Sequence, residues 1–327
     1  MLLDLDFITE SVIILILALI IDLIFGEPPE IFHPTVWMGK TAEFLKSKLK
    51  SKSLKTEKIN GIVLGLTIIL TFALSAYLIL NFMKYYANLN IILYILLASF
   101  LLKTAFSMKC MGQLSIPIGE SIEEGKMEEA KNRLRRIVRR DPTNFDDQKI
   151  LSATVECVIE STVDGITSPL FYYSIFGVPL AIAYRAINTL DSTVGYKDTE
   201  HVNIGWFSAK MDDIANYLPA RITSILMILS AWLLNEDWRG AWKILKRDRG
   251  KTESPNAGWT MSTAAGIFNV QFEKPGYYIL GDRVNLLTSQ HILRALRIMK
   301  LTTLLFMMIV VLPIIIIIGG FLGLILL

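Results

Sequence analysis

Cysteine and histidine are scarce in this chain: Cys110 and Cys157 are the only cysteines, and three histidines occur in 327 residues. Two isolated cysteines offer neither a disulfide framework nor the paired spacing of a zinc site, so a reducing cytosolic aspect is the simpler setting. Charge is also thin, at 19% of residues with a net +3, and no arginine and aromatic interleaving of the nucleic-acid-gripping kind occurs; nucleic acid is set aside as a partner. The sequence has no P-loop, no dinucleotide glycine fingerprint, no HExxH and no serine or cysteine triad pattern. It has no internal repeat. The N-terminus has no basic n-region but carries Asp4, Asp6 and Glu10, and Gly26-Glu27-Pro28-Pro29 is a poor cleavage site, so the first apolar run is expected to stay on the mature protein.

What the sequence has in quantity is apolar surface. Hydrophobic residues make up 53% of it and the mean hydropathy is +0.47, values that belong to an integral membrane protein. Four runs are expected to span, at 8–25, 61–82, 91–106 and 301–327, since about 20 apolar residues cross the hydrocarbon. Two further runs, 165–187 and 217–234, carry Pro169, Pro179, Arg185, Pro219 and Arg221. They either span, or they are buried or re-entrant, which is allowed where protein covers a broken backbone. The second reading is preferred because it gathers the polar clusters on one side. The expected fold is an all-α, polytopic integral membrane helical bundle, read as one membrane-embedded domain over 1–327. Its cytoplasmic helical loops are 26–60, 107–164, 188–216 and 235–300.

Topology follows from the lysines. Lys46, Lys48, Lys50, Lys52, Lys55 and Lys58 mark a cytoplasmic loop, which puts the N-terminus outside and makes the turn at 83–90 external. KMEEAKNRLRRIVRRD reads as an amphipathic helix with Leu134, Ile137 and Val138 on one stripe, expected to lie on the anionic membrane surface. Trp238, Trp242 and Leu245 form a second stripe expected at the interface.

Four polar clusters could carry chemistry. The first is Asp22, Glu27 and His33. The second is Glu156, Glu160 and Asp164, spaced i, i+4, i+8 so that a helix stacks the three carboxylates on one face; a cation should meet them, whether Arg185, Arg221, a metal ion or a substrate. The third is Arg185, Asn188, Asp191, Asp212, Asp213, Asn216 and Arg221, whose aspartates suit Mg²⁺ with substrate phosphate and whose arginines suit a bidentate phosphate or carboxylate clamp. The fourth is Ser254, Asn256 and Gly258 with Tyr277, Tyr278 and Asp282, a loop able to cradle an anion. The residues alone describe a membrane enzyme or a transporter handling an anionic ligand at the cytoplasmic face.

Several of these stretches together resemble the adenosylcobinamide-phosphate synthases of cobalamin biosynthesis, also called CbiB or CobD. The matching pieces are Asp22 with GEPPEIFHPTVWMGK, then ESTVDGITSPLFYY, AYRAINTLDSTVGY, AKMDDIANYLPARIT and SPNAGWTMSTAAGIFNV. They run in the family's order through most of the chain; Thr260 stands where the family pattern has proline. The resemblance implies an acid-amine ligase that joins adenosylcobyric acid, a corrinoid, to a phosphorylated amino alcohol, aminopropanol phosphate or ethanolamine phosphate. It implies ATP as cosubstrate, Mg²⁺ as cofactor, a multi-pass place in the cell membrane with the active site facing the cytoplasm, and company with other cobalamin-pathway membrane enzymes. Carried onto this chain, Asp191, Asp212 and Asp213 are expected as metal or nucleotide ligands and Arg185 and Arg221 as phosphate clamps. Glu160, Asp164 and Asn188 are expected in catalysis, and Glu27, His33, Ser254, Asn256 and Gly258 at the substrate. A transporter of an anionic ligand such as a corrinoid is the alternative.

Overall fold

The structure, a computed structural model, describes residues 5–86, 91–138, 140–196, 198–199 and 201–325. The tip of the expected external turn, 87–90, and the last two residues of the expected C-terminal span lie outside the described residues. In chain order the helices are α1 (Leu5–Phe25), α2 (Pro34–Leu49), α3 (Leu54–Asn81), α4 (Ile91–Lys103), α5 (Lys109–Glu123), α6 (Met127–Leu134) and α7 (Asp147–Thr162). They continue as α8 (Ser168–Val194), α9 (Trp206–Ala215), α10 (Tyr217–Leu233), α11 (Trp238–Asp248), α12 (Ala257–Phe268), α13 (Ser289–Phe306) and α14 (Leu312–Ile325). Strands β1 (Gln271–Lys274) and β2 (Tyr278–Gly281) precede α13. The expected all-α membrane bundle is what the chain forms, with this one hairpin added among the described residues.

Among the described residues four helical stretches are long and apolar enough to cross a membrane, Asp6–Phe25, Leu54–Tyr85, Asp147–Val194 and Ser289–Phe321, and a fifth would be Trp206–Ala215 with Tyr217–Leu233, a pair bent by 44°. Three match expected spans. Only 22% of the best window of the first two is buried, against 67% for Asp147–Val194, so the first two offer apolar faces suited to lipid while the third is clothed in protein. The expected span at 91–106 forms α4, only 13 residues long, and it ends on a buried lysine.

Where the sequence reading treated the chain as one domain, its contacts group into two compact units. Unit 1 comprises Met1–Ser107, Ser168–Ala215 and Met308–Leu327, and unit 2 comprises Met108–Thr167 and Asn216–Met307. Two of the changeovers fall at π-helical turns, Val163–Thr167 and Met307–Val311, each followed within two residues by a proline, Pro169 or Pro313. A proline forbids the regular helical bond to the turn before it, and widened turns are one way a helix accommodates that.

In unit 1, α3 and α2 pack on α8, and α1 packs on α4; Ile14, Ala18, Leu64, Ile68 and Leu102 are fully or almost fully buried between them. Helix α8 is broken at Phe176 and Gly177, where φ reaches 68° at the glycine. The 165–187 stretch is thus interrupted, as its prolines led us to expect.

Unit 2 is built around α12, flanked by α10 and α11, with α7 and α10 against α13. Hydroxyl pairs bridge its helices inside the apolar core: Thr167 with Thr223 at 2.7 Å and Ser230 with Thr302 at 2.9 Å. Where α11 crosses α12, Gly240 and Gly266 meet backbone to backbone, with no room for a side chain at either position. The hairpin turns on Lys274-Pro275-Gly276-Tyr277, with Gly276 at φ 79° and the Tyr277 N–H donating to the Lys274 carbonyl at 2.9 Å; proline then glycine is the residue pair that a type II turn demands.

One surface helix differs from expectation, and a second does so at a single residue. The arginine-rich helix stops at Leu134 in a tightened turn, and its stripe packs inside the unit. Leu134 is fully buried with Ile118, Ala130 and Ile150, and Ile137 and Val138 pack against that cluster. Apolar side chains from α5 and α7 are the stronger partner for that face. In α11, Leu245 turns into the core, leaving Trp238 and Trp242 partly exposed.

Candidate functional site

Unit 1 places a charged network where an apolar sequence would not lead one to look. The Lys103 side chain, at the end of α4, is 1% exposed. Its ammonium lies 3.1 Å from Asp22 and donates to Glu27 at 2.9 Å and to the Phe106 carbonyl at 3.2 Å. Two of these contacts are hydrogen bonds, and the Asp22 contact is an ion pair without hydrogen-bond geometry. The other Glu27 oxygen is 2.7 Å from His33 Nε2, while His33 Nδ1 accepts the Thr35 N–H at 3.3 Å. His33 is therefore the N-cap of α2, followed by Pro34 at the first helical position, where a proline costs no hydrogen bond. Burial by itself would raise the Glu27 carboxyl; the His33 hydrogen bond, the Lys103 charge and the Ser107 hydroxyl outweigh it and hold the group down at about 2.

The same turn carries the network onward. Arg185 Nε donates to the Thr35 hydroxyl at 3.4 Å and Nη1 to Asn188 Oδ1 at 3.3 Å, and Asn188 Nδ2 donates to Asp212 at 3.4 Å. The first cluster and the unit 1 part of the third are thus one chain of contacts through Thr35, a residue the sequence reading left out. Asp213 instead faces Lys210, at 3.5 Å, and Asp191 folds back beside Gly195. Among the described residues no group of three or more His, Cys, Asp or Glu side chains is placed to hold a metal ion. Asp191, Asp212 and Asp213 therefore do not form a closed protein cage.

Unit 2 holds the second and fourth clusters and divides both. Glu156 is 2% exposed; it accepts from Arg140 at 3.2 Å, from Ser152 at 2.6 Å and from the Tyr278 hydroxyl at 2.5 Å. The cation that meets Glu156 is Arg140, which the sequence reading did not name. Glu160 is exposed and Asp164 sits in the π-helical turn. Burial and the Glu156 carboxylate push the Tyr278 phenol well above its ordinary value, so it stays a proton donor. Ser152 also lines a cavity of about 130 Å³ with Asp146, Lys149, Glu273 and Arg283, a polar hollow that contains no residue picked from the sequence.

The SPNAG loop meets Arg221, in the first turns of α10. Arg221 donates to Asn256 Oδ1 at 2.5 Å, to the Pro255 carbonyl at 3.0 Å and to the Tyr217 carbonyl at 2.8 Å. Ser254 Oγ accepts the N–H groups of Asn256 and Ala257 at 3.2 and 3.4 Å, capping the start of α12. Gly258 lies so close to the Arg249 carbonyl and Thr252 that a Cβ there would collide with both. Tyr277 and Asp282 do not join this loop: Tyr277 lies under Lys274 and Asp282 pairs with Arg247 at 2.9 Å. Arg247 also holds Asp248, which burial would raise but which Arg247, Lys251 and the Gly281 N–H keep at about 2. The end of α11 is thereby tied to the hairpin.

The comparisons with known proteins agree on a family. A family model described as CobD/Cbib protein matches residues 15–313. Among curated proteins, a probable cobalamin biosynthesis protein CobD of Methanothermobacter thermautotrophicus is 41% identical over 297 residues, covering 91% of this chain and 96% of that protein. A cobalamin biosynthesis protein CobD of Dehalococcoides mccartyi is 37% identical over 283 residues, 86% of this chain and 91% of that one. One from Photorhabdus laumondii is 35% identical, with 82% and 83% covered. No solved structure matches.

Proposed function

The chain belongs to the CobD/Cbib protein family, and from that premise we propose that it is a membrane ligase of cobalamin biosynthesis. It joins a propionate carboxylate of adenosylcobyric acid to the amine of aminopropanol phosphate or ethanolamine phosphate, giving adenosylcobinamide phosphate. Amide formation from a free carboxylate is uphill in water, so ATP activates the acid: the carboxylate oxygen takes the γ-phosphoryl group, ADP leaves, and attack by the free amine expels inorganic phosphate with loss of one proton.

The observation that carries the reading is the Arg185–Asn188–Asp212 array of unit 1, anchored through Thr35 to a buried charge network. A fixed guanidinium beside a carboxylate suits a substrate that bears both phosphate and ammonium. The long bonds in this array, 3.3 to 3.4 Å, are of the kind that tighten when a ligand arrives. Mg²⁺ commonly takes one or two protein carboxylates and completes its shell with phosphate oxygens and water; Asp212, with Asp191 or Asp213, would hold it, and it would neutralise phosphate charge. For unit 2, taken by itself, we propose Glu160 and Asp164 as bases for the ammonium proton and the SPNAG loop with Arg221 as substrate contacts. The site faces the cytoplasm, where the basic loop lies.

The test is purified protein in detergent with adenosylcobyric acid, aminopropanol phosphate, ATP and Mg²⁺, the corrinoid being followed by mass spectrometry. We expect a product heavier by the amine less one water, absent without ATP. Folded protein that binds the corrinoid but forms no product overturns the ligase. Transport of corrinoid into sealed vesicles would replace it.

A further inference from the structure

Arg185 and Arg221 were both expected as phosphate clamps, and unit 2 gives Arg221 a further companion. Arg221 lies over the Tyr217 ring at 3.7 Å and over the Trp259 ring at 4.9 Å, and Arg249 lies over the same Trp259 at 5.1 Å. Two cations therefore share one indole. The oxygens that take Arg221 are neutral: an amide and two backbone carbonyls. They use three of its five N–H donors and leave its charge without a counter-ion from those contacts. Cations brought together on an aromatic face repel one another, and an anion placed between them relieves that repulsion.

The surroundings hold the pair in place. Arg249 follows the last turn of α11, which Asp248 binds to Arg247, Lys251 and the hairpin. Its carbonyl rests against Gly258, where nothing larger would fit. Trp259 sits on the first turn of α12, beyond the Ser254 cap. The motif glycine thus acts by letting the backbone that bears Arg249 approach α12.

We propose that Arg221 and Arg249, set across Trp259, form the subsite for a phosphate monoester, and that Arg249 is a substrate-binding residue of this protein. The assignment rests on the ligase reading for its ligand, the phosphorylated amino alcohol. The oxyanion chemistry also fits the headgroup phosphate of an anionic lipid, so the experiment separates the two sources.

Wild type and Arg249→Gln are titrated in detergent with aminopropanol phosphate and with unphosphorylated aminopropanol, by calorimetry. Wild type should bind the phosphorylated compound at least tenfold more tightly, and the variant should lose most of that preference while its affinity for adenosylcobyric acid stays unchanged. Arg249→Lys, which keeps the charge without the fork, should recover part of it. Equal binding by wild type and Arg249→Gln removes Arg249 from the site. Flotation with phosphatidylglycerol against phosphatidylcholine vesicles is the second arm: if Arg249→Gln changes only lipid preference, the ligand is a headgroup and the substrate assignment falls. The ligase reading fails separately. Absence of product from wild type, with Arg249-dependent phosphate binding intact, overturns the ligase and leaves the subsite; normal product and KM from Arg249→Gln does the reverse.

Discussion

One buried cation of unit 1 and one cation pair of unit 2 are held in opposite ways. In unit 1, Lys103 is sealed from solvent and given two carboxylates and a carbonyl. In unit 2, Arg221 rests on aromatic rings and neutral oxygens, and Arg249 on the Trp259 ring. A buried charge with all its partners serves as a fixed strut, whereas a cation given only neutral contacts has its electrostatic demand left for a ligand.

Lys103→Met should test that contrast most severely. It leaves Asp22 and Glu27 together without their cation, at a cost of about 3–5 kcal/mol, seen as a large fall in the thermal midpoint in detergent. Adding Asp22→Asn should restore part of the loss; an unchanged midpoint in Lys103→Met would mean the strut bears no load.

Acid should act on the same strut. Because the Glu27 carboxyl is held down at about 2 from an ordinary 4.5, its contribution is fully present above pH 4.5 and is lost as pH falls towards 2. The shift is worth on the order of 3 kcal/mol. Unfolding midpoints measured from pH 6 to pH 3 should decline less in Glu27→Gln than in wild type, since the variant has already lost that contribution.

Arg185→Lys should have a smaller and purely functional effect. Replacing a fork by a point charge should raise KM for the phosphorylated amine about tenfold, equivalent to about 1.4 kcal/mol; an unaltered KM would detach Arg185 from the ligand. The least effect belongs to Glu129→Gln, whose partner Arg133 is, like Glu129, well exposed. No resolvable change in the midpoint is expected there.

Much of this was legible beforehand for physical reasons. Long apolar runs admit few alternatives, and the prolines of 165–187 announced a broken helix, found at Phe176 and Gly177. Glu27, His33, Arg185, Asn188 and Asp212 were chosen from the sequence and do meet. What escaped was partnership over long separations. Lys103 looks like an ordinary helix-end lysine reaching for an interface, and nothing local reveals that Asp22 and Glu27 surround it. Arg140 was hidden in a run of arginines, although its target, Glu156, was singled out. Thr35 carries no signature at all. The hairpin was the one avoidable omission, because Pro275-Gly276 between Phe272 and Ile279 is a turn signal between strand-forming residues.

The glycine contact between α11 and α12 works as a spacer of fixed thickness. With Gly240 and Gly266 touching through their backbones, the helix that leads to Arg249 and the helix that bears Trp259 stand as near as two helices can. A methyl group at either glycine would act as a wedge, far from any ligand, and would prise the guanidinium from the indole face. The reach of the proposed phosphate subsite is thus gauged by two residues that have no side chain to offer it.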